Sequence, residues 1–144
     1  MIVVSLDPGI TSGYTRSELK GNTLEFIAAQ AKWQEDDLWT FLHEVHPGLI
    51  IYERFEFRQR ARAGVELFSR NLIGVINLYG QHVGIKLAPQ QPAYAMQFFT
   101  DARLRQLNCY TVGKEHARDA TRHLLAYYKF GAGSKYGKLS VLMK

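Results

Sequence analysis

The sequence predicts an α/β domain: a mixed five-stranded sheet, three antiparallel strands followed by two parallel ones, flanked by helices. Three observations carry this. The chain opens on Ile2, Val3, Val4 and Leu6, a short apolar run rich in β-branched residues, as expected of a strand buried on both faces. Two further strand patterns follow at turn-length spacing and form an antiparallel meander. From Glu35 onward, apolar runs of strand length alternate with stretches of three- and four-residue periodicity, the signature of strands joined by helical crossovers.

The second strand runs from Gly13 to about Leu19, Lys20-Gly21-Asn22 turns the chain, and Thr23 to Ala29 forms the third. Glu35 to Val45 reads as a helix, with Leu38, Phe41, Leu42 and Val45 on one face and acids in its first turn, where the helix dipole favours them. His46-Pro47-Gly48 ends it, and Leu49 to Tyr52 is a fully apolar fourth strand. The longest helical pattern, Gly64 to about Tyr79, puts Val65, Phe68, Leu72, Val75, Ile76 and Tyr79 on one face, and Leu67 widens its apolar arc. His82 to Ala88 is expected as the fifth strand, before Pro89. Short helices are expected over Pro92 to Phe99 and Asp101 to Leu107, then a final one over Glu115 to Tyr128. This makes one domain over 1–130, with 131–144 read as a flexible Gly/Lys-rich basic tail.

Composition excludes several classes. No apolar run approaches the roughly 18 residues a membrane span needs, and the opening residues are strand rather than charged leader, so a cytoplasmic protein is expected. The single cysteine, Cys109, excludes an internal disulfide and a cysteine-based zinc site and reads as core filler. A formal net charge of +5 favours a polyanionic partner. Its distribution sharpens the point, because Arg54, Arg58, Arg60, Arg62 and Arg70 crowd one segment while Glu35, Asp36 and Asp37 sit elsewhere.

The chemistry is carried by acids at strand ends. Asp7 closes the first strand just before Pro8-Gly9, and Glu53 closes the fourth. A carboxylate there is costly to bury unless something positive meets it, and in sheets of this kind functional groups gather where parallel strands end. A third acid is expected from the final helix, where Asp119 follows His116 by three residues and shares its face. Asp7, Glu53, Asp119 and His116 together form an oxygen-rich set with one imidazole, suited to Mg²⁺ or Mn²⁺ rather than zinc. Three clustered carboxylates call for two divalent ions, the arrangement that serves phosphodiester hydrolysis.

In combination, D7-P-G-x-x-x-G-Y at the end of a first strand, a Glu closing the fourth, and H116-x-x-D119-A on a C-terminal helix resemble the RuvC family of Holliday junction resolvases, within the RNase H-like superfamily. The resemblance spans nearly the whole chain. It implies a crossover junction endonuclease with Asp7, Glu53 and Asp119 as metal-binding catalytic carboxylates. His116 takes a position that is Asp in some members and His in others. It further implies two Mg²⁺ or Mn²⁺ ions per site, no small-molecule cofactor, four-way DNA junctions as substrate and a homodimer that makes paired nicks. The glycine after D-P-G follows three residues rather than the four usual in bacterial members, which fits a compact phage-type branch.

The segment after Glu53 interleaves Arg54, Phe55, Phe57, Arg58, Arg60 and Arg62. These arginines are expected to grip phosphates, while Phe55 or Phe57 stacks on or wedges between bases at the branch point. Lys114 is the favoured lysine for reaching phosphate near the metals, with Lys86 a second candidate. Glu66 is read as a salt-bridge partner of Arg62 and Arg70, and His123 as exposed or satisfied in the core. Two other functions are compatible with the residues: an RNase H-like nuclease acting on other branched DNA or on RNA, and a catalytically silent DNA-binding module.

Overall fold

The protein is described by a computed structural model covering residues 1–54, 63–131 and 136–144, with 63–66 described by backbone alone. Six strands form one sheet: β1 (Ile2–Asp7), β2 (Ser12–Lys20), β3 (Thr23–Ala31), β4 (Leu49–Glu53), β5 (Lys86–Gln90) and β6 (Ser140–Met143). Their order across the sheet is β5-β4-β1-β2-β3-β6. The β1–β2 and β2–β3 pairs are antiparallel, while β1–β4, β4–β5 and β3–β6 are parallel. The expected mixed sheet is therefore present, with six strands rather than five.

The helices are α1 (Glu35–Val45), α2 (Ala63–Val83), α3 (Pro92–Phe98), α4 (Asp101–Gln106) and α5 (Glu115–Phe130). Side-chain alternation along the strands divides the core into two layers. Val4, Leu6, Ile50 and Tyr52 point to one face and pack with Leu38 and Leu42 of α1 and Leu72, Ile76 and Tyr79 of α2. Tyr14 completes that layer, its ring stacked on Trp33 with centroids 4.9 Å apart. Val3, Leu49 and Ile51 point to the other face and pack under Leu124, Leu125 and Ala126 of α5. Cys109 is fully buried in this second layer, and burial pushes its thiol up to about 11, which makes it inert filler as expected.

The passage from α2 into β5 differs from the sequence expectation. His82 and Val83 complete the last turn of α2 instead of opening a strand. Gly84 follows at a φ of +74°, and the Ile85 amide donates to the Gly80 carbonyl, so a left-handed glycine ends the helix. The fifth strand then begins at Lys86 and continues through Pro89 to Gln90. Proline is tolerated there because β5 is the edge of the sheet, where a missing N–H costs no ladder bond.

The sixth strand comes from the segment read as tail. Ser140–Met143 lies parallel to β3, with Leu24 opposite Val141, and Val141 and Met143 pack partly buried against the core. Lys144 then pairs with Glu25 at 2.7 Å. Short apolar alternation within a Gly- and Lys-rich stretch is enough to join a sheet when an edge is open to receive it. Among the described residues, no helix is long and apolar enough to cross a membrane.

Candidate active site

Two periodicities build the site. On β1 and β4, Asp7 and Glu53 fall on the same face as Val3, Ser5, Leu49 and Ile51, the face that α5 covers. The register sets Leu6 opposite Tyr52, so the two carboxylates finish side by side on adjacent parallel strands. On α5, His116, Asp119 and His123 recur at three- and four-residue spacing and form a stripe toward the sheet. Ser5 Oγ donates to the Ala120 carbonyl at 2.8 Å and ties helix to strand at the middle of that stripe.

Gly13 sets how closely helix and sheet approach. It pairs with Asp7 across the β1–β2 ladder, and the backbone of His116 lies directly over it. A β-carbon at this position would overlap the His116 carbonyl, so only glycine lets the start of α5 reach the end of β1. The glycine of the D-P-G-x-x-x-G pattern is thus a packing requirement of the site.

Each carboxylate meets a nitrogen base from α5. Asp7 Oδ2 lies 3.1 Å from His116 Nδ1, and Glu53 Oε2 lies 3.1 Å from His123 Nε2. Asp119 Oδ1 accepts from Arg122 Nη1 at 2.6 Å. Arg122 is almost fully buried, and it also donates from Nε to the Phe99 carbonyl at 2.7 Å and from Nη2 to Asp101. These bonds satisfy a guanidinium that would otherwise be costly to bury.

The three acids also feel one another. Burial raises the Asp7 carboxyl to about 6, against the lowering effect of its bond to His116, and Glu53 and Asp119 push it further up. Burial likewise raises Asp119; Arg122 opposes the shift and Glu53 adds to it. The hydrogen bond to Asp7 raises His116 above the ordinary imidazole range. The result is a half-buried acidic cluster whose negative charge its neighbours offset only in part.

Of the residues singled out in the sequence, the fold brings Asp7, Glu53, His116 and Asp119 together. Lys114 is exposed at the N-cap of α5, shortly before His116 in the chain. Lys86 is not part of it. It pairs with Leu49 at the opposite end of the parallel strands and lies within 3.5 Å of the Tyr127 hydroxyl. Arg54 is exposed just past Glu53, its amide donating to the Gln90 carbonyl at 2.8 Å. Phe55, Phe57, Arg58, Arg60 and Arg62 lie outside the described residues, as does the side chain of Glu66.

Sequence reasoning passed over Gln90 and Arg122 and assigned His123 no part in the site. The available signal was the stripe itself, since His123 lies four residues beyond Asp119 and seven beyond His116 on one helix face.

Among the described residues, no group of three or more His, Cys, Asp or Glu side chains is gathered closely enough to hold a metal ion, because each acid is turned onto its own partner. The donor chemistry nevertheless fits a divalent cation. Three carboxylates lie within electrostatic reach, and their repulsion helps push Asp7 to about 6, which is the strain a cation would relieve.

No family model and no curated protein matches the sequence. Solved structures do match the fold. Thermus thermophilus RuvC in complex with a Holliday junction substrate superposes with a TM-score of 0.69 at 15% identity, covering 91% of this chain and 97% of that one. This chain has the RuvC fold. A second T. thermophilus RuvC structure agrees, with a TM-score of 0.64, 16% identity and the same coverage of 91% and 97%. The antiparallel strands followed by parallel ones read from the sequence are those of the observed sheet.

Proposed function

We propose that this chain is a Holliday junction resolvase: a metal-dependent endonuclease that makes paired nicks in four-way DNA junctions by hydrolysing phosphodiester bonds. The observation that carries the reading is that Asp7 and Glu53 at the strand ends of a RuvC fold lie within electrostatic reach of Asp119 on α5, with His116 against Asp7. When bound there, two Mg²⁺ or Mn²⁺ ions would neutralise charge building on the scissile phosphate and favour ionisation of the attacking water. Asp7, Glu53, Asp119 and His116 are the residues that would hold them.

The chain's own side chains do the rest. The contact between His116 Nδ1 and Asp7 Oδ2 fixes the ring over the end of β1. Arg122 holds one oxygen of Asp119 and leaves the other for the site. Arg54 and Lys114 flank the acids and would bind backbone phosphates on either side of the cut, together with Arg58, Arg60 and Arg62. Leu67 and Leu78 are exposed on α2 and supply apolar surface for a second copy, which paired nicks in a two-fold substrate require.

One observation favours a second reading, a catalytically silent junction-binding module: each carboxylate already has a basic partner within the chain. A single experiment separates the two. Four strand-labelled synthetic junctions are incubated with wild type and with Asp7→Asn in Mg²⁺ or Mn²⁺, and the products are resolved on a denaturing gel. Symmetric nicks in opposing strands, absent from the variant, are expected of the resolvase. Tight junction binding without cutting in either metal would overturn that reading in favour of the silent module.

A further inference from the structure

We infer that His123, held in place by Gln90, is a positioning residue for Glu53; the inference rests on the reading of Glu53 as a metal-holding carboxylate. His123 is 1% exposed, and both of its ring nitrogens are engaged. Nδ1 lies 2.8 Å from Gln90 Oε1, and Nε2 lies 3.1 Å from Glu53 Oε2.

Gln90 decides the orientation. Its Nε2 donates to the His123 carbonyl at 3.2 Å, so the amide cannot be reversed without setting two carbonyl oxygens against each other. The atom facing the ring is therefore Oε1, an acceptor, and Nδ1 carries the hydrogen it accepts. The other nitrogen, Nε2, is thereby turned to Glu53 Oε2.

Three elements meet in this clamp. Gln90 and Glu53 are register partners on β5 and β4, and His123 reaches both from α5. The ring engages Oε2 of Glu53. A glutamate at a strand end has three side-chain torsions to order, and a ring whose own orientation is locked removes that freedom before a cation arrives. Partners of this kind tune metal affinity without touching the metal.

The alternative is a histidine that only fills and satisfies the core between β5 and α5. The test uses the full chain stripped with EDTA, and the probe is Mn²⁺ alone, followed by titration calorimetry. The variants are His123→Leu, His123→Gln, Gln90→Met and Glu53→Gln, each checked for an intact unfolding transition.

Positioning predicts that His123→Leu and Gln90→Met weaken Mn²⁺ binding about 10- to 100-fold. His123→Gln, whose amide N–H can still reach Glu53, should recover most of the loss. The Mn²⁺ concentration for half-maximal cutting should rise in step, with the KM for junction unchanged. Wild-type Mn²⁺ affinity in His123→Leu and Gln90→Met, alongside weakened binding in Glu53→Gln, overturns the positioning role and leaves a core histidine. Unchanged affinity in Glu53→Gln overturns the metal reading of Glu53, and this inference with it.

Discussion

Replacing Asp7 by asparagine is expected to stabilise the metal-free protein while abolishing the proposed junction cutting. The Asp7 side chain is only 13% exposed, and its carboxyl titrates at about 6 against an ordinary 3.8. A difference of about two units corresponds to about 3 kcal/mol at 1.36 kcal/mol per unit. The sign follows from which state holds the proton. Below the ordinary value, Asp7 is neutral in folded and unfolded chains alike and favours neither. Between the ordinary 3.8 and about 6, the unfolded chain ionises while the folded one keeps its proton on a buried group among like charges, so stability falls across that window and levels off above it.

His116 works the same way over a higher range. Its raised value gives stability that is present at low pH and lost as pH climbs through that value, and Asp7→Asn forfeits this contribution too. The net gain in the variant is therefore largest near pH 8, at about 1–3 kcal/mol, or several degrees in Tm for a domain of this size. Urea unfolding in EDTA, followed by circular dichroism at pH 4, 6 and 8, measures it. Added Mn²⁺ at pH 8 should narrow the gap, because only the wild type has the full ligand set. A variant less stable than wild type at pH 8, or a gain equal at pH 4 and 8, would refute the argument.

Two further substitutions probe the scaffold of the site. Gly13→Ala should cost about 2–3 kcal/mol or more, because the methyl meets the His116 backbone rather than a side chain able to swing aside. It should also abolish cutting by moving His116 off Asp7; a fully active, equally stable variant would show that α5 can retreat freely. Deleting residues 140–144 should remove about 2 kcal/mol through the loss of the partly buried Val141 and Met143. The deletion also bares the edge of β3, so concentration-dependent association by light scattering is expected, and a truncated chain as stable and monodisperse as the intact one would contradict it.

Much of this molecule is legible from local pattern. The β-branched run of β1, the apolar run of β4 and the helical stripe of α5 each state their own type. The strand-end positions of Asp7 and Glu53 follow from counting along them. Periodicity alone also puts His116 and Asp119 on one helix face, and that is enough to nominate the four site residues.

Contacts between distant elements are a different matter. Pro89 reads as the end of a strand, and only the edge position of β5 lets the strand run on and bring Gln90 opposite Glu53. His123 has no local feature that separates a core histidine from one that orients a carboxylate; its role depends on what β4 and β5 bring to its ring nitrogens. Arg122 looks like one more basic residue on a basic helix until Phe99, Asp101 and Asp119 surround it. β6 is too short and too polar in its neighbourhood to announce itself, and it is a strand because β3 has an edge to offer.

The sequence by itself thus determined most element types, the antiparallel-then-parallel character of the sheet and the acids at the strand ends. These depend on interactions within a few residues and on the periods of helix and strand. Tertiary structure alone decided which base faces which acid. That pairing depends on register, on the glycine-limited approach of α5 to the sheet and on the burial that raises Asp7, none of which is a property of any single stretch of chain.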